Sequence, residues 1–113
     1  MSKHSPYPYL RASCRVHGHE FDVLGFVDTG YDGGLVIPKS QRIGLPKSMS
    51  IIPIQLGDGT RTSAEEFVGT LVVEDMQLEV TVLFLGNEYL IGREVVDQFR
   101  LCFHRGEYLE IEE

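Results

Sequence analysis

Apolar residues recur mostly at every second position, in short runs of Val, Ile, Leu, Phe and Thr separated by Gly, Asn and Asp, the alternation of half-buried strands. Strands are expected over residues 10–16 and 20–27, joined by a turn at Gly18. Leu35-Val36-Ile37 is a short apolar strand stopped by Pro38; since Pro suits the first turn of a helix, residues 39–43 read as one short turn closed by Gly44. Residues 51–56 run into Gly57-Asp58-Gly59-Thr60, where two glycines able to take positive φ mark a hairpin tip. Residues 66–74 and 77–85 form a second pair joined at Asp75-Met76. Phe67, Leu71 and Val73 share one face of that pair, and Leu78, Val80, Val82 and Phe84 share a face on the partner strand. After Tyr89-Leu90-Ile91-Gly92, the spacing of Val95, Val96 and Phe99 predicts a helix over 93–99. A hairpin over His104-Arg105-Gly106-Glu107 closes the chain, with strands at 101–103 and 108–111.

The pattern therefore describes a mainly β chain, and its 113 residues suit a single domain spanning 1–113. Residues 1–9, where Tyr7 and Tyr9 flank Pro8, read as a flexible arm. So short a chain can hardly wrap a deep cleft between two lobes, so any active site must be shallow or borrow a second subunit. With 17 acidic against 10 basic residues and a net charge of -7, there is no basic excess to displace phosphate counterions, which argues against a nucleic-acid partner. No apolar run approaches the roughly 18 residues of a spanning helix, and the first residues lack the apolar stretch of a signal peptide. A cytoplasmic address and no membrane partner are the expectations. Cys14 and Cys102 fall in strands and read as thiols rather than a disulfide framework.

Asp28-Thr29-Gly30 follows the apolar run Val23-Leu24-Gly25-Phe26-Val27, so a carboxylate is presented at the end of a buried strand on a turn that Gly30 permits. Alone the tripeptide decides little, since average residue usage produces it by chance in roughly 2% of chains this long. Its context is more specific: about sixty residues later Leu90-Ile91-Gly92-Arg93 opens a helix, with a hairpin tip between the two motifs. In that order and spacing, over nearly the whole chain, the sequence resembles the retropepsin-like (clan AA) aspartic proteases, and more closely the small prokaryotic single-lobe members that work as homodimers. The resemblance implies a single-lobe acid-protease barrel with one short helix after Leu-Ile-Gly-Arg.

It also implies roles for residues. Asp28 would be the catalytic aspartate, meeting its symmetry mate across a twofold axis, so that each chain holds half a site. Two carboxylates in contact cannot both ionise comfortably and share one proton. Thr29 would hydrogen-bond across the dyad, and Gly30 would let backbone approach the peptide. Asp32 and Arg93 would form an ion pair tying the catalytic loop to the helix, because the planar guanidinium fork holds a carboxylate bidentately. Gly57, Asp58, Gly59 and Thr60 would form the flap over the substrate, although retroviral flaps are richer in glycine and apolar at the tip. Tyr31 departs from the small residue usual after the triplet, and would either narrow the cleft or turn its side chain elsewhere.

Two function classes follow. The first is a homodimeric aspartic endopeptidase acting on a peptide or protein substrate with no metal or cofactor. The alternative is a non-catalytic peptide-binding or interaction module on the same fold, motivated by Tyr31 and by the acidic end Glu110-Ile111-Glu112-Glu113, which would place like charges across interleaved termini. A terminal hairpin folded on its own subunit avoids that repulsion. His17-Gly18-His19-Glu20 reads as a solvated turn rather than a metal site, and His4 and His104 read likewise.

Overall fold

The structure is a computed structural model that describes residues 2–48 and 50–112, with backbone alone for residues 2–5. In chain order it contains β1 (Ser2–Pro6), β2 (Tyr9–Val16), β3 (His19–Val27), β4 (Leu35–Ile37), a 3-10 turn (Lys39–Arg42), β5 (Ser50–Gln55), β6 (Arg61–Val73), β7 (Met76–Phe84), β8 (Leu90–Ile91), α1 (Arg93–Val96), β9 (Arg100–His104) and β10 (Tyr108–Glu112). Alternation carries the apolar side chains to the core: along β3, Phe21, Val23 and Val27 point inward, while Asp22, Leu24 and Phe26 point out.

The main sheet runs β2-β3-β8-β4-β7-β6, and β6 returns to pair with β2 through Ser13↔Val72, Cys14↔Leu71 and Arg15↔Thr70. Six strands thus close on themselves, which removes exposed sheet edges from the barrel. Leu10, Val16, Leu35, Ile37, Leu71, Val82, Ile91 and Val95 are fully buried inside it. β5 stays outside the closed ring and pairs only with the first part of β6, from Ser50↔Glu66 to Gln55↔Arg61, so that the β5–β6 hairpin projects from the barrel.

A second sheet, ordered β1-β10-β9, is built from the two ends of this one chain. Leu109 and Ile111 of β10 point into the core, and the residues alternating with them face out. The terminal hairpin therefore folds on its own subunit, as the simpler of the two expected arrangements has it.

Three expectations need correction. Residues 1–9 are not simply an arm: Ser2–Pro6 pairs with Tyr108–Glu112 as a strand. Its polar sequence offers no apolar alternation to read, because it is held by the backbone ladder. The helix expected over 93–99 is one turn, Arg93–Val96, followed by a tighter turn in which Gln98 N–H donates to the Val95 carbonyl. Val95 alone is fully buried there, two β-branched residues are poor helix formers, and the chain must turn into β9 at Arg100. Finally, β6 starts at Arg61 rather than near residue 66, because its polar first half lies in the projecting hairpin and has no core to pattern it.

Candidate active site

The Asp28 turn begins as an extension of the sheet. Phe26 and Val27 pair in parallel with Leu90 and Ile91, and the Asp28 N–H donates to the Ile91 carbonyl at 2.9 Å. The chain then reverses: the Tyr31 N–H reaches the Asp28 carbonyl at 3.2 Å, and the Gly30 N–H donates to Asp28 Oδ1 at 2.9 Å. A short acidic side chain capturing an amide two residues on is the local reason an Asp suits this turn. Asp28 is half-buried, while Thr29 and Gly30 are exposed at the turn.

The remainder of the loop is stitched to the second motif. Gly92 N–H donates to the Gly34 carbonyl (2.8 Å), Arg93 N–H to that of Tyr31 (2.8 Å) and Glu94 N–H to that of Gly33 (3.1 Å). Asp-Thr-Gly and Leu-Ile-Gly-Arg, sixty residues apart in the chain, thereby form one hydrogen-bonded unit. The Glu94 carboxylate extends it to the barrel wall, accepting from the Thr81 N–H at 2.7 Å and the Thr81 hydroxyl at 3.1 Å.

Tyr31 turns its ring back over this loop. A Cβ at Gly33 or at Gly92 would overlap the Tyr31 ring as it lies, and one at Gly92 would also meet backbone carbonyl oxygens, so the packing requires glycine at 92, while a side chain at 33 would have to displace the ring. Burial, followed by the charges of Glu94, Asp32 and Glu66, pushes the Tyr31 phenol up to about 12.

The side-chain pair expected between Asp32 and Arg93 does not form. Arg93 Nε lies 3.5 Å from Asp97 Oδ2, both groups more than half exposed, and Asp32 only shares an open depression of about 340 Å³ with Arg93, Glu94 and Asp97. One helical turn places residue i+4 within reach of the guanidinium, and Asp97 takes that place. Loop and helix are joined here by main chain, not by that ion pair.

The Leu56–Thr60 tip closes the β5–β6 hairpin. Leu56 N–H donates to the Thr60 carbonyl (2.8 Å), Gly59 N–H to the Leu56 carbonyl (2.9 Å) and Thr60 N–H to Asp58 Oδ1 (2.9 Å). Hydrogen bonds from Thr60 hold the Asp58 carboxyl below its ordinary range. Gly57, Asp58, Gly59 and Thr60 are all exposed. Leu56, together with Val36, Leu85 and Leu90, lines a depression of about 440 Å³, which sets the hairpin beside the strand that carries Ile91. At the hairpin's base, Arg42 Nε and Nη2 hold the two oxygens of Glu65 at 2.9 and 3.2 Å, and the Ser48 N–H adds a third bond at 2.7 Å. Arg42 also lies over the Phe67 ring, 5.3 Å from its centre.

Glu94, the Gly33 seat and the Arg42–Glu65 clamp were not singled out from sequence, and Gly92 was read only as part of the Leu-Ile-Gly-Arg motif, not as a seat for the Tyr31 ring. The Gly33-Gly34 pair just after the Asp28 loop was the available signal of close backbone approach; nothing local marks Glu65 as the partner of a residue 23 positions away. His17 and Gly18 form the β2–β3 turn, with His17 and His19 exposed. The side chain of His4 lies outside those described.

The sequence matches no protein-family profile and no curated protein. Among solved structures, the chain is similar to the solution structure of the simian foamy virus (mac) protease, with a TM-score of 0.55 and 17% sequence identity over 79% of this chain and 91% of that one. That likeness establishes the fold: a mainly β, closed retropepsin-like barrel with almost no helix.

Proposed function

We propose that the protein is an aspartic endopeptidase that works as a homodimer, each chain contributing Asp28. The observation carrying this reading is the Asp28-Thr29-Gly30 turn, hydrogen-bonded to Leu-Ile-Gly-Arg inside a retropepsin-like barrel. A water held between Asp28 and Asp28 of the partner subunit gives its proton to the ionised carboxylate as its oxygen bonds to the peptide carbonyl carbon. The protonated carboxylate hydrogen-bonds the carbonyl oxygen as negative charge develops there. The proton gained then passes to the leaving amine as the C–N bond breaks. The pair titrates as a unit, so neither apparent pKa belongs to one chain. An extended peptide would lie as an added strand between the Gly30 loop and the Leu56–Thr60 hairpin, through main-chain hydrogen bonds.

A twofold contact is supported by the outer face of β3. Leu24 and Phe26 are 41% and 39% exposed and share the parity of Asp28, with Tyr9 beside Phe26 at 5.9 Å between ring centres. A second reading, peptide binding without turnover by a single chain, is favoured by one observation: the terminal sheet is completed within one subunit.

The test is cleavage of a peptide library between about pH 4 and 7 by the wild type and by Asp28→Asn. Wild type should cleave and the variant should not. Equal activity in both proteins overturns the proposal, and peptide binding by a persistent monomer without cleavage selects the second reading.

A further inference from the structure

The outward face of the terminal hairpin carries chemistry that the proposed peptidase does not use. β9 and β10 pair in the register Arg100↔Glu112, Cys102↔Glu110 and His104↔Tyr108. Leu109 and Ile111 alternate with these residues and are buried in the core, so Cys102, His104, Tyr108 and Glu110 stand together on the other side. Directly opposed residues on antiparallel strands bring their side chains within contact, as do alternate residues on one strand. The Cys102 thiol, an imidazole nitrogen of His104 and a carboxylate oxygen of Glu110 accordingly all lie within 4.8 Å of one another.

We infer that Cys102, His104 and Glu110 form a binding site for a divalent metal ion of zinc's class. The donor set is the argument. A thiolate, an imidazole and a carboxylate are the three protein ligands of borderline-soft ions, whereas calcium and magnesium take oxygen. At zinc's bond lengths of about 2.0–2.3 Å, tetrahedral ligand atoms lie about 3.3–3.7 Å apart. The span here thus needs about 1 Å of closure, within rotamer adjustment of one exposed and two half-buried side chains. Two of the three are already neighbours and need open only by about 0.4 Å to take an ion between them: His104 Nε2 and Glu110 Oε1 are 2.9 Å apart, and the imidazole stacks on Tyr108 with 4.5 Å between ring centres and 13° between planes. Among the described side chains of this face, the Arg100 cation is engaged, its Nη1 with Glu112 Oε2 at 3.3 Å. On binding, the metal takes the lone pair of His104 Nε2, any proton there moving through solvent to Nδ1, the Cys102 thiol loses its proton to solvent, and water completes the fourth position. The ion would bridge β9 and β10, and so fasten the sheet that the two chain ends build. This site stands independently of the peptidase reading.

The test is a Co2+ titration of the full chain near neutral pH, kept reduced by a phosphine. One Co2+ per chain should give tetrahedral visible absorption and a near-ultraviolet thiolate-to-metal band, both displaced by Zn2+. Cys102→Ser should abolish the near-ultraviolet band. That change and His104→Gln should each weaken Zn2+ binding more than about 100-fold, beyond what loss of a merely supporting partner costs, while His19→Gln should leave it unchanged. Zn2+ should also raise the thermal midpoint of wild type and not of Cys102→Ser. Absence of a thiolate band at millimolar Co2+, or Zn2+ affinity that survives both ligand substitutions, overturns the site.

Discussion

Tyr31 is the residue whose environment says most about the loop it follows. Burial first, and then the Glu94, Asp32 and Glu66 carboxylates, favour its neutral phenol and push it up to about 12. A folded-state pKa above the unfolded value near 10 means the associated stability is whole below about pH 10 and is lost as pH rises towards 12. Spectrophotometric titration of the native protein should therefore reveal a late tyrosine that Tyr31→Phe removes; an unchanged curve would contradict this placement. The same reasoning separates the two thiols. Burial pushes Cys14 up to about 11, while Cys102 is exposed. A disulfide reagent at pH 8 should titrate one thiol promptly and the second only on unfolding. From sequence, Tyr31 was legible as a departure with two outcomes, and only packing against Gly33 and Gly92 decides that the ring turns back over its loop.

The Asp28 loop, the one-turn helix and the projecting hairpin are each fixed by contacts of different legibility. Strand alternation marked the barrel because one face of each strand in the closed ring meets the core, which is why Phe67, Leu71, Val73, Val80, Val82 and Phe84 were readable from period alone. Polar partners carry no period, so Arg42 with Glu65 and Glu94 with Thr81 were invisible, and Arg93 was assigned to Asp32 when Asp97 lies one turn away. Glu94→Ala removes a charged acceptor from the Thr81 N–H and hydroxyl and should cost about 1.5–3 kcal/mol in chemical denaturation. Gly92→Ala drives a Cβ into the Tyr31 ring and into backbone that cannot yield, and should cost about 1–3 kcal/mol; Gly57→Ala, at an open position, serves as the control. Hydrogen bonds from Arg42 and then Ser48 hold Glu65 below its ordinary range. Its contribution is present above about pH 4.3 and lost as pH falls through the lowered folded value. Glu65→Gln should flatten the acid limb of the stability profile, and an unaltered limb would remove the clamp from the account.

For the whole molecule, the size of the chain and the closure of its terminal sheet together set how a second copy can approach. Each chain carries one Asp28 turn and one projecting hairpin, half of what a twofold site needs, and each carries a net charge of -7. Protonation of carboxylates at lower pH reduces repulsion between copies. With β1, β9 and β10 paired inside one subunit, the exposed apolar face of Leu24 and Phe26 is the surface open to the proposed contact between copies. Phe26→Asp should leave the fold intact by circular dichroism and shift the solution mass at micromolar concentration from dimer to monomer. The closing test is the activity of mixed dimers: wild-type chains exchanged with increasing Asp28→Asn, total protein held above the dimer constant. A site shared between two chains predicts that cleavage falls faster than the wild-type fraction, as its square if mixed dimers are inert. Activity that falls only in proportion to the wild-type fraction would mean that each chain works alone, and would contradict the account.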